Sequence, residues 1–212
     1  MNTTKTNNIF PELSNYIKDL INDFDQISSE RKVLLSKLSA FIANKVKNNL
    51  PVRLIFICTH NSRRSHLSQI WAQTAAYFYG ITGVESFSGG TEATAFNPRA
   101  VKAMQKAGFK ITFSDNSNNP LYTVEFAEGQ SIKAFSKKYD AEENPSEDFC
   151  AIMTCSHADE NCPFIPGASL RLPISYDDPK DFDGTPLEET KYNERCRQIG
   201  VEMFYAFSLI NN

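Results

Sequence analysis

Two apolar stripes at helical spacing open the chain. Leu13, Ile17, Leu20, Ile21, Phe24 and Ile27 form the first, and Leu34, Leu35, Leu38, Phe41, Ile42 and Val46 the second. Recurrence every three to four residues marks one face of a helix. Ser28-Ser29-Glu30 between the stripes suits a fresh helix start. Residues 11–47 therefore predict a helical hairpin, with one long bent helix as the alternative. Asn48-Asn49-Leu50-Pro51 follows as a linker. Such stripes are expected to pack on the outer face of the next domain; a dimer contact or an active-site lid are the other uses.

Beyond the linker the pattern alternates between strand and helix. Val52 to Ile57 is a short apolar, β-branched run, and residues 65–72 resume helical spacing through Leu67, Ile70 and Trp71. Val84-Glu85-Ser86-Phe87-Ser88 alternates as a second strand. Asn97-Pro98 supplies an N-cap and a first-turn Pro for a helix carrying Val101, Met104 and Ala107, with Gly108 as its stop and Arg99 as a solvated residue. Between Thr112 and Asp148 the pattern weakens: Tyr122 to Phe126 reads as an edge strand or hairpin arm, with Ile132 to Ser136 as its candidate partner. Residues 149–154 and 168–174 supply two more strands. Thr185-Pro186-Leu187-Glu188 reads as a capping box opening a last helix, whose Tyr192, Cys196, Ile199, Met203, Ala206 and Phe207 face the core. The alternation predicts an α/β fold with a central parallel sheet wrapped by helices and ligands at the carboxyl ends of its strands. Residues 1–50 are expected to form an N-terminal helical extension and residues 51–212 a catalytic domain.

Length and charge narrow the function. With 212 residues, 41% of them hydrophobic, one sizeable core and a small appendage are expected. A net charge of −3 and a pI near 5.7 offer no general attraction to nucleic acid or anionic membranes, so any anion site must be local. No apolar stretch approaches a membrane span, and Met1 to Thr6 is too polar for a signal peptide, so a cytoplasmic protein is expected. Five cysteines in that setting suggest catalysis or redox work.

The chemistry concentrates in Cys58-Thr59-His60-Asn61-Ser62-Arg63-Arg64-Ser65, where the first apolar strand ends. A loop closing onto a helix start aims backbone N–H groups at an oxyanion, and the same field favours a thiolate at its mouth. Arg64 offers a planar fork for two oxygens, and Ser65 a hydroxyl for a departing sulfur. No Gly-Lys-Ser or Gly-Lys-Thr is present, which excludes a nucleotide-binding P-loop. A second cluster, Cys155-Ser156-His157-Ala158-Asp159-Glu160-Asn161-Cys162-Pro163, has two thiols with only His157 nearby, short of the four ligands of a zinc site, so no metal or other cofactor is predicted. Asp177-Asp178-Pro179 follows the last strand, where a carboxyl on a stiffened loop suits general acid work. Cys150 and Cys196 lie on core-facing positions and read as structural.

The loop of residues 58–65 resembles the phosphate loop of the low-molecular-weight protein tyrosine phosphatase superfamily, which includes the thioredoxin-coupled arsenate reductases. Ser88-Gly89-Gly90-Thr91-Glu92-Ala93-Thr94, Asn97-Pro98-Arg99-Ala100-Val101 and Asp177-Asp178-Pro179 extend the resemblance over roughly residues 50–210. Both cysteines of the second cluster, with Asp159, Asn161 and Pro163, resemble the redox segment of the reductase branch. The resemblance implies a four-stranded parallel sheet in flavodoxin-like order. It also implies Cys58 as nucleophile, Arg64, Ser65 and the loop Thr59 to Arg63 as oxyanion binders, and Asp178 as general acid. Cys155 and Cys162 would then carry a disulfide relay to thioredoxin. The family usually has Gly where His60 stands, so a strained His60 or a shifted loop is expected. It usually has Cys or an apolar residue where Arg63 stands. Two alternatives remain at this level: phosphomonoester hydrolysis through a phosphocysteine, and a non-enzymatic oxyanion-binding or docking protein.

Overall fold

A computed structural model of the chain describes residues 8–162 and 164–210. Met1 to Thr6 and Pro163 lie outside the described residues.

Among the described residues seven strands form two sheets. The first contains β1 (Val52–Cys58), β2 (Val84–Gly90), β6 (Phe149–Met153) and β7 (Ala168–Leu172) in the order β2-β1-β6-β7, every pair parallel. Counting these four along the chain gives the order 2-1-3-4, the start of a flavodoxin-like sheet, as expected. Each residue of β6 is buried, as are all but Arg53 of β1, because helices cover both faces of a parallel sheet. The second sheet is antiparallel, β3 (Lys110–Phe113), β4 (Tyr122–Ala127) and β5 (Gln130–Ala134) in that order. Its middle strand carries the alternation of residues 122–126, and β5 is the partner expected from residues 132–136.

Helices α3 (Arg64–Phe78) and α4 (Pro98–Lys106) both pack on α6 (Glu188–Ser208), and Trp71 of α3 is fully buried. Its ring meets Phe109 and Phe204 edge-on at 4.9 and 5.9 Å. Asn97 caps α4, accepting from the Arg99 N–H at 2.9 Å, and Pro98 begins it as the sequence indicates. Gly108 ends it at φ +105°, and a Cβ there would stand 2.4 Å from the Leu13 backbone nitrogen. The start of α6 differs from the expected capping box. Thr185 Oγ1 accepts from the Leu187 N–H at 3.2 Å, while Glu188 Oε2 accepts from Gly184 rather than from Thr185, so the threonine and Pro186 build a turn ahead of the helix.

The N-terminal stripes do form two helices, α1 (Pro11–Asn22) and α2 (Ser29–Lys47), with Ser28 as the α2 N-cap. They are not packed as an isolated hairpin: both lie on α6, and Leu13, Ile17, Leu20, Leu35, Leu38 and Ile42 join the same core as β1, α3 and α6. Arg31 of α2 donates through Nε and Nη2 to Glu202 Oε2 of α6 at 2.9 and 2.7 Å, and its guanidinium lies 4.8 Å from the Tyr176 ring centre. Among the described residues no helix is long and apolar enough to cross a membrane.

Candidate active site

Residues 59–63 join β1 to α3, and their backbone is turned inside out by its neighbours. The carbonyl of Cys58 accepts from the Thr91 N–H at 3.1 Å, that of Thr59 from Glu92 N–H at 2.8 Å, and that of Ser62 from Asn97 N–H at 2.8 Å. His60 O accepts from the hydroxyls of Thr94 and Ser136 at 3.0 and 3.1 Å. A trans peptide sets its N–H opposite its carbonyl. With these carbonyls pinned outward, the N–H groups of Thr59, His60, Asn61 and Arg63 face the hollow of the loop, followed by the unpaired first-turn N–H groups of α3. Inward-facing N–H groups of this kind suit an oxyanion.

The loop reverses through Asn61, at φ +43°, one residue beyond His60, where either a strained residue or a shifted loop was expected. Asn tolerates left-handed backbone better than most residues, and its side chain is used as well. Asn61 Oδ1 accepts from the Lys137 N–H at 2.8 Å, which fixes the amide orientation, so Nδ2 donates to Ser65 Oγ at 2.9 Å. Ser65 Oγ accepts that bond and keeps its hydrogen available for Cys58 Sγ, 3.1 Å away. Cys58 therefore ends β1 beside a hydroxyl aimed at its sulfur. Gly90 makes the close approach possible: a Cβ there would stand 2.2 Å from Glu92 O and 2.7 Å from both Asn61 N and Thr59 O. His60 is half-exposed, with Nε2 3.7 Å from Glu92 Oε2.

Two arginines face the loop of Asp178. Arg64 Nη1 donates to Tyr176 O at 2.8 Å and Nη2 to Asp178 Oδ2 at 2.7 Å. The buried Arg63 points the same way, its Nε donating to Tyr192 OH at 2.9 Å and standing 3.8 Å from Asp178 Oδ1. Tyr192 in turn donates to Asp183 Oδ1 at 2.9 Å, so Asp183 is part of this framework and not a plain acidic turn. Burial raises the Tyr192 phenol to about 12 and keeps it a neutral donor. Arg99 is also tied down, its Nε 2.8 Å from Glu188 Oε2.

Cys155 follows β6 on the same rim as Cys58, and the two share one apolar cluster with Ala158 and Met153. It caps α5 (Ser156–Asn161), its Sγ accepting from the Ala158 N–H at 3.3 Å. Thr59 Oγ1 lies 3.5 Å from that sulfur and 3.2 Å from His157 Nδ1. Cys162 stands at the other end of α5, half-buried. Arg171 of β7 holds that end, donating to Cys162 O at 3.1 Å and Asp159 O at 2.6 Å. Cys150 and Cys196 are buried in the main core away from this rim, and burial pushes the Cys196 thiol up to about 12.

The structure thus joins Cys58 to Ser65, Arg64 to Asp178 and the Thr59 hydroxyl to Cys155, and places Cys162 at the far end of α5. Sequence reasoning missed the outer supports, Thr94, Asn97, Ser136 and the Lys137 N–H. It also missed His66, buried under the loop, where Ser88 Oγ lies 3.1 Å from its Nδ1 and the Phe96 ring stacks at 4.3 Å. Burial first, then the Lys137 charge, lowers the His66 pKa to about 3, so it stays neutral. Ser88 and Asn97 stood in motifs already noted; Ser136 and Lys137 lie some 75 residues from the loop they support, and no local pattern announces them.

No family model matches the sequence. It is 30% identical over 153 residues to arsenate reductase 2 of Staphylococcus epidermidis, covering 71% of this chain and 94% of that protein. It is 27% identical over 148 residues to the arsenate reductase of Bacillus subtilis, covering 69% of this chain and 88% of that one. A low-molecular-weight phosphotyrosine phosphatase of Vibrio cholerae shares the fold, with a TM-score of 0.51 over 76% of this chain and 97% of that chain at 12% identity. This kinship places the chain in the arsenate reductase family as an enzyme, on a fold shared with low-molecular-weight phosphotyrosine phosphatases.

Proposed function

We propose that the protein reduces arsenate to arsenite through Cys58 and passes the oxidising equivalents along Cys155 and Cys162 to thioredoxin in the reducing cytoplasm. The observation that carries this reading is the position of Cys155, buried with Cys58 in one cluster and 3.5 Å from the hydroxyl of the next loop residue. A plain phosphoester hydrolase has no use for that thiol.

Arsenate would rest on the inward N–H groups of residues 59–63, with Arg64 leaving Tyr176 O or Asp178 to clamp it. The Cys58 thiolate attacks arsenic; one oxygen departs as water with a proton from Asp178, giving a Cys58–arsenic(V) adduct. Cys155 then attacks Cys58 Sγ. The S–S bond forms, the S–As bond breaks, and its electron pair stays on arsenic, which leaves as arsenite. Ser65 supports Cys58 as it becomes a leaving group again, when Cys162 attacks Cys155 Sγ. That last exchange requires α5 to unwind. Seven residue steps at about 1.5 Å each separate Cys155 from Cys162 by about 10 Å, beyond the roughly 7 Å that a disulfide spans. Thioredoxin would reduce the Cys155–Cys162 bond.

The test is one turnover of the reduced protein with arsenate and no reductant, with arsenite measured and disulfides mapped by mass spectrometry. Stoichiometric arsenite with a Cys155–Cys162 bond is expected. Free thiols, no arsenite and brisk hydrolysis of para-nitrophenyl phosphate would instead favour a phosphatase, for which Cys58, Arg64 and Asp178 would suffice.

A further inference from the structure

His157 has no task in the reaction just set out, yet its ring is tied to the reacting groups. The Thr59 hydroxyl stands between Cys155 Sγ at 3.5 Å and His157 Nδ1 at 3.2 Å. A hydroxyl carries one hydrogen and two lone pairs, so when Nδ1 is the unprotonated ring nitrogen it can accept from the thiol while donating to the imidazole. His157 itself is exposed on the first turn of α5, where solvent takes a proton onward. The Asn161 side chain donates to the His157 backbone carbonyl at 2.7 Å and leaves the ring free for Thr59.

We propose that His157 receives the proton that Cys155 must lose before it attacks Cys58, with Thr59 as the bridge. The proposal rests on the arsenate-reduction reading. A thiol attacks only as its thiolate, and an imidazole is the side chain suited to take a proton near neutral pH. The thiol proton passes to Thr59 Oγ1 as the hydroxyl proton of Thr59 passes to His157 Nδ1, leaving a Cys155 thiolate and an imidazolium. The thiolate then forms the S–S bond with Cys58, and the S–As electron pair reduces arsenic(V) to arsenic(III). The Ala158 N–H, 3.3 Å from Cys155 Sγ, holds the charge between the two events. His157 touches neither sulfur; it acts through Thr59. The relay also has an end built into it, because the unwinding of α5 carries His157 away from Thr59 once Cys155 has reacted.

Single-turnover arsenite release in wild type, His157→Asn and His157→Ala tests the idea. Asparagine keeps an oxygen to accept from Thr59 and cannot be protonated, so a purely structural contact would survive in it. Both variants are expected to release arsenite about 100-fold more slowly, and added imidazole is expected to accelerate His157→Ala in proportion to its concentration. His157→Asn at the wild-type rate, or a slowed His157→Ala that imidazole leaves unchanged, would overturn the inference alone. No arsenite from the wild type would overturn the arsenate reading, and this inference with it.

Discussion

Around Cys58, the carbonyls of Cys58, Thr59, His60 and Ser62 each meet a fixed donor from another part of the chain, whereas α5 is six residues long and held by a thiol at one end and Arg171 at the other. The loop draws its supports from residues 91–97, from Ser136 and from Lys137, so moving it means breaking several hydrogen bonds at once. The short helix has only one buried residue, Ala158, within its span. This difference fits the two tasks proposed for them. An oxyanion cradle gains by being preorganised, since its N–H groups then need no reordering when charge develops. A thiol pair about one short helix apart can close into a disulfide only by changing shape, which calls for a segment that opens locally at low cost.

The comparison can be broken or sharpened at four points. The largest effect is expected at Asn61, where Asn61→Ala removes a left-handed-tolerant residue and the bonds to Ser65 and the Lys137 N–H. Turnover of arsenate and of para-nitrophenyl phosphate should fall about 100-fold together; steady-state rates near wild type would mean that the loop is not held through this side chain. Next is Gly90→Ala, whose methyl would press on the Asn61 and Thr59 backbone. Overpacking of this kind costs about 1–3 kcal/mol, read as a lower urea midpoint with an unchanged slope.

The third point is pH. His66 has its pKa lowered to about 3 in the fold, against an ordinary value of 6.5. Its contribution is therefore complete above pH 6.5 and shrinks as the pH falls from there toward 3, because the unfolded chain takes up the proton first. Stability should drop by about 1.4 kcal/mol per pH unit in that window from this group, and His66→Gln should flatten the slope in urea titrations between pH 7 and 5. An unaltered slope would remove His66 from the support of the loop. The smallest effect on global stability, less than about 1 kcal/mol, is expected for Arg171→Met, which frees the carbonyls of Asp159 and Cys162. Amide exchange at residues 158–162 should nonetheless speed up, and protection equal to wild type would show that Arg171 does not restrain the helix.

Much of this arrangement was legible in the chain. The strand–loop–helix from Val52 to Phe78, the strands at residues 84–90 and 149–153 and both N-terminal helices follow from apolar periodicity and end signals, which act over a few residues. The rest was not, for particular reasons. A strained His60 or a shifted loop was expected because a glycine is usual there, and the left-handed turn falls one residue later, on an Asn whose side chain can be anchored. The stripes of α1 and α2 announced apolar faces that need cover from the following domain; that α6 supplies the cover is a long-range fact. The family usually has Cys or an apolar residue where Arg63 stands, and here it is a buried link to Tyr192 and the Asp178 loop.

By itself, then, the sequence determined which segments are strands and helices, and which chemical groups stand at their ends: Cys58, Arg64 and Ser65 at one junction, Cys155 and Cys162 flanking another, Asp178 after a third. These are set by local preferences of backbone and side chain. Only the tertiary structure decided that the loop is turned outside in, because the donors that pin its carbonyls come from residues 91–97 and from Ser136. Only it brought His157 and Cys155 to the two sides of the Thr59 hydroxyl. Both outcomes depend on hydrogen bonds between segments distant in the chain, whose geometry exists only once the sheet order has placed those segments on one rim.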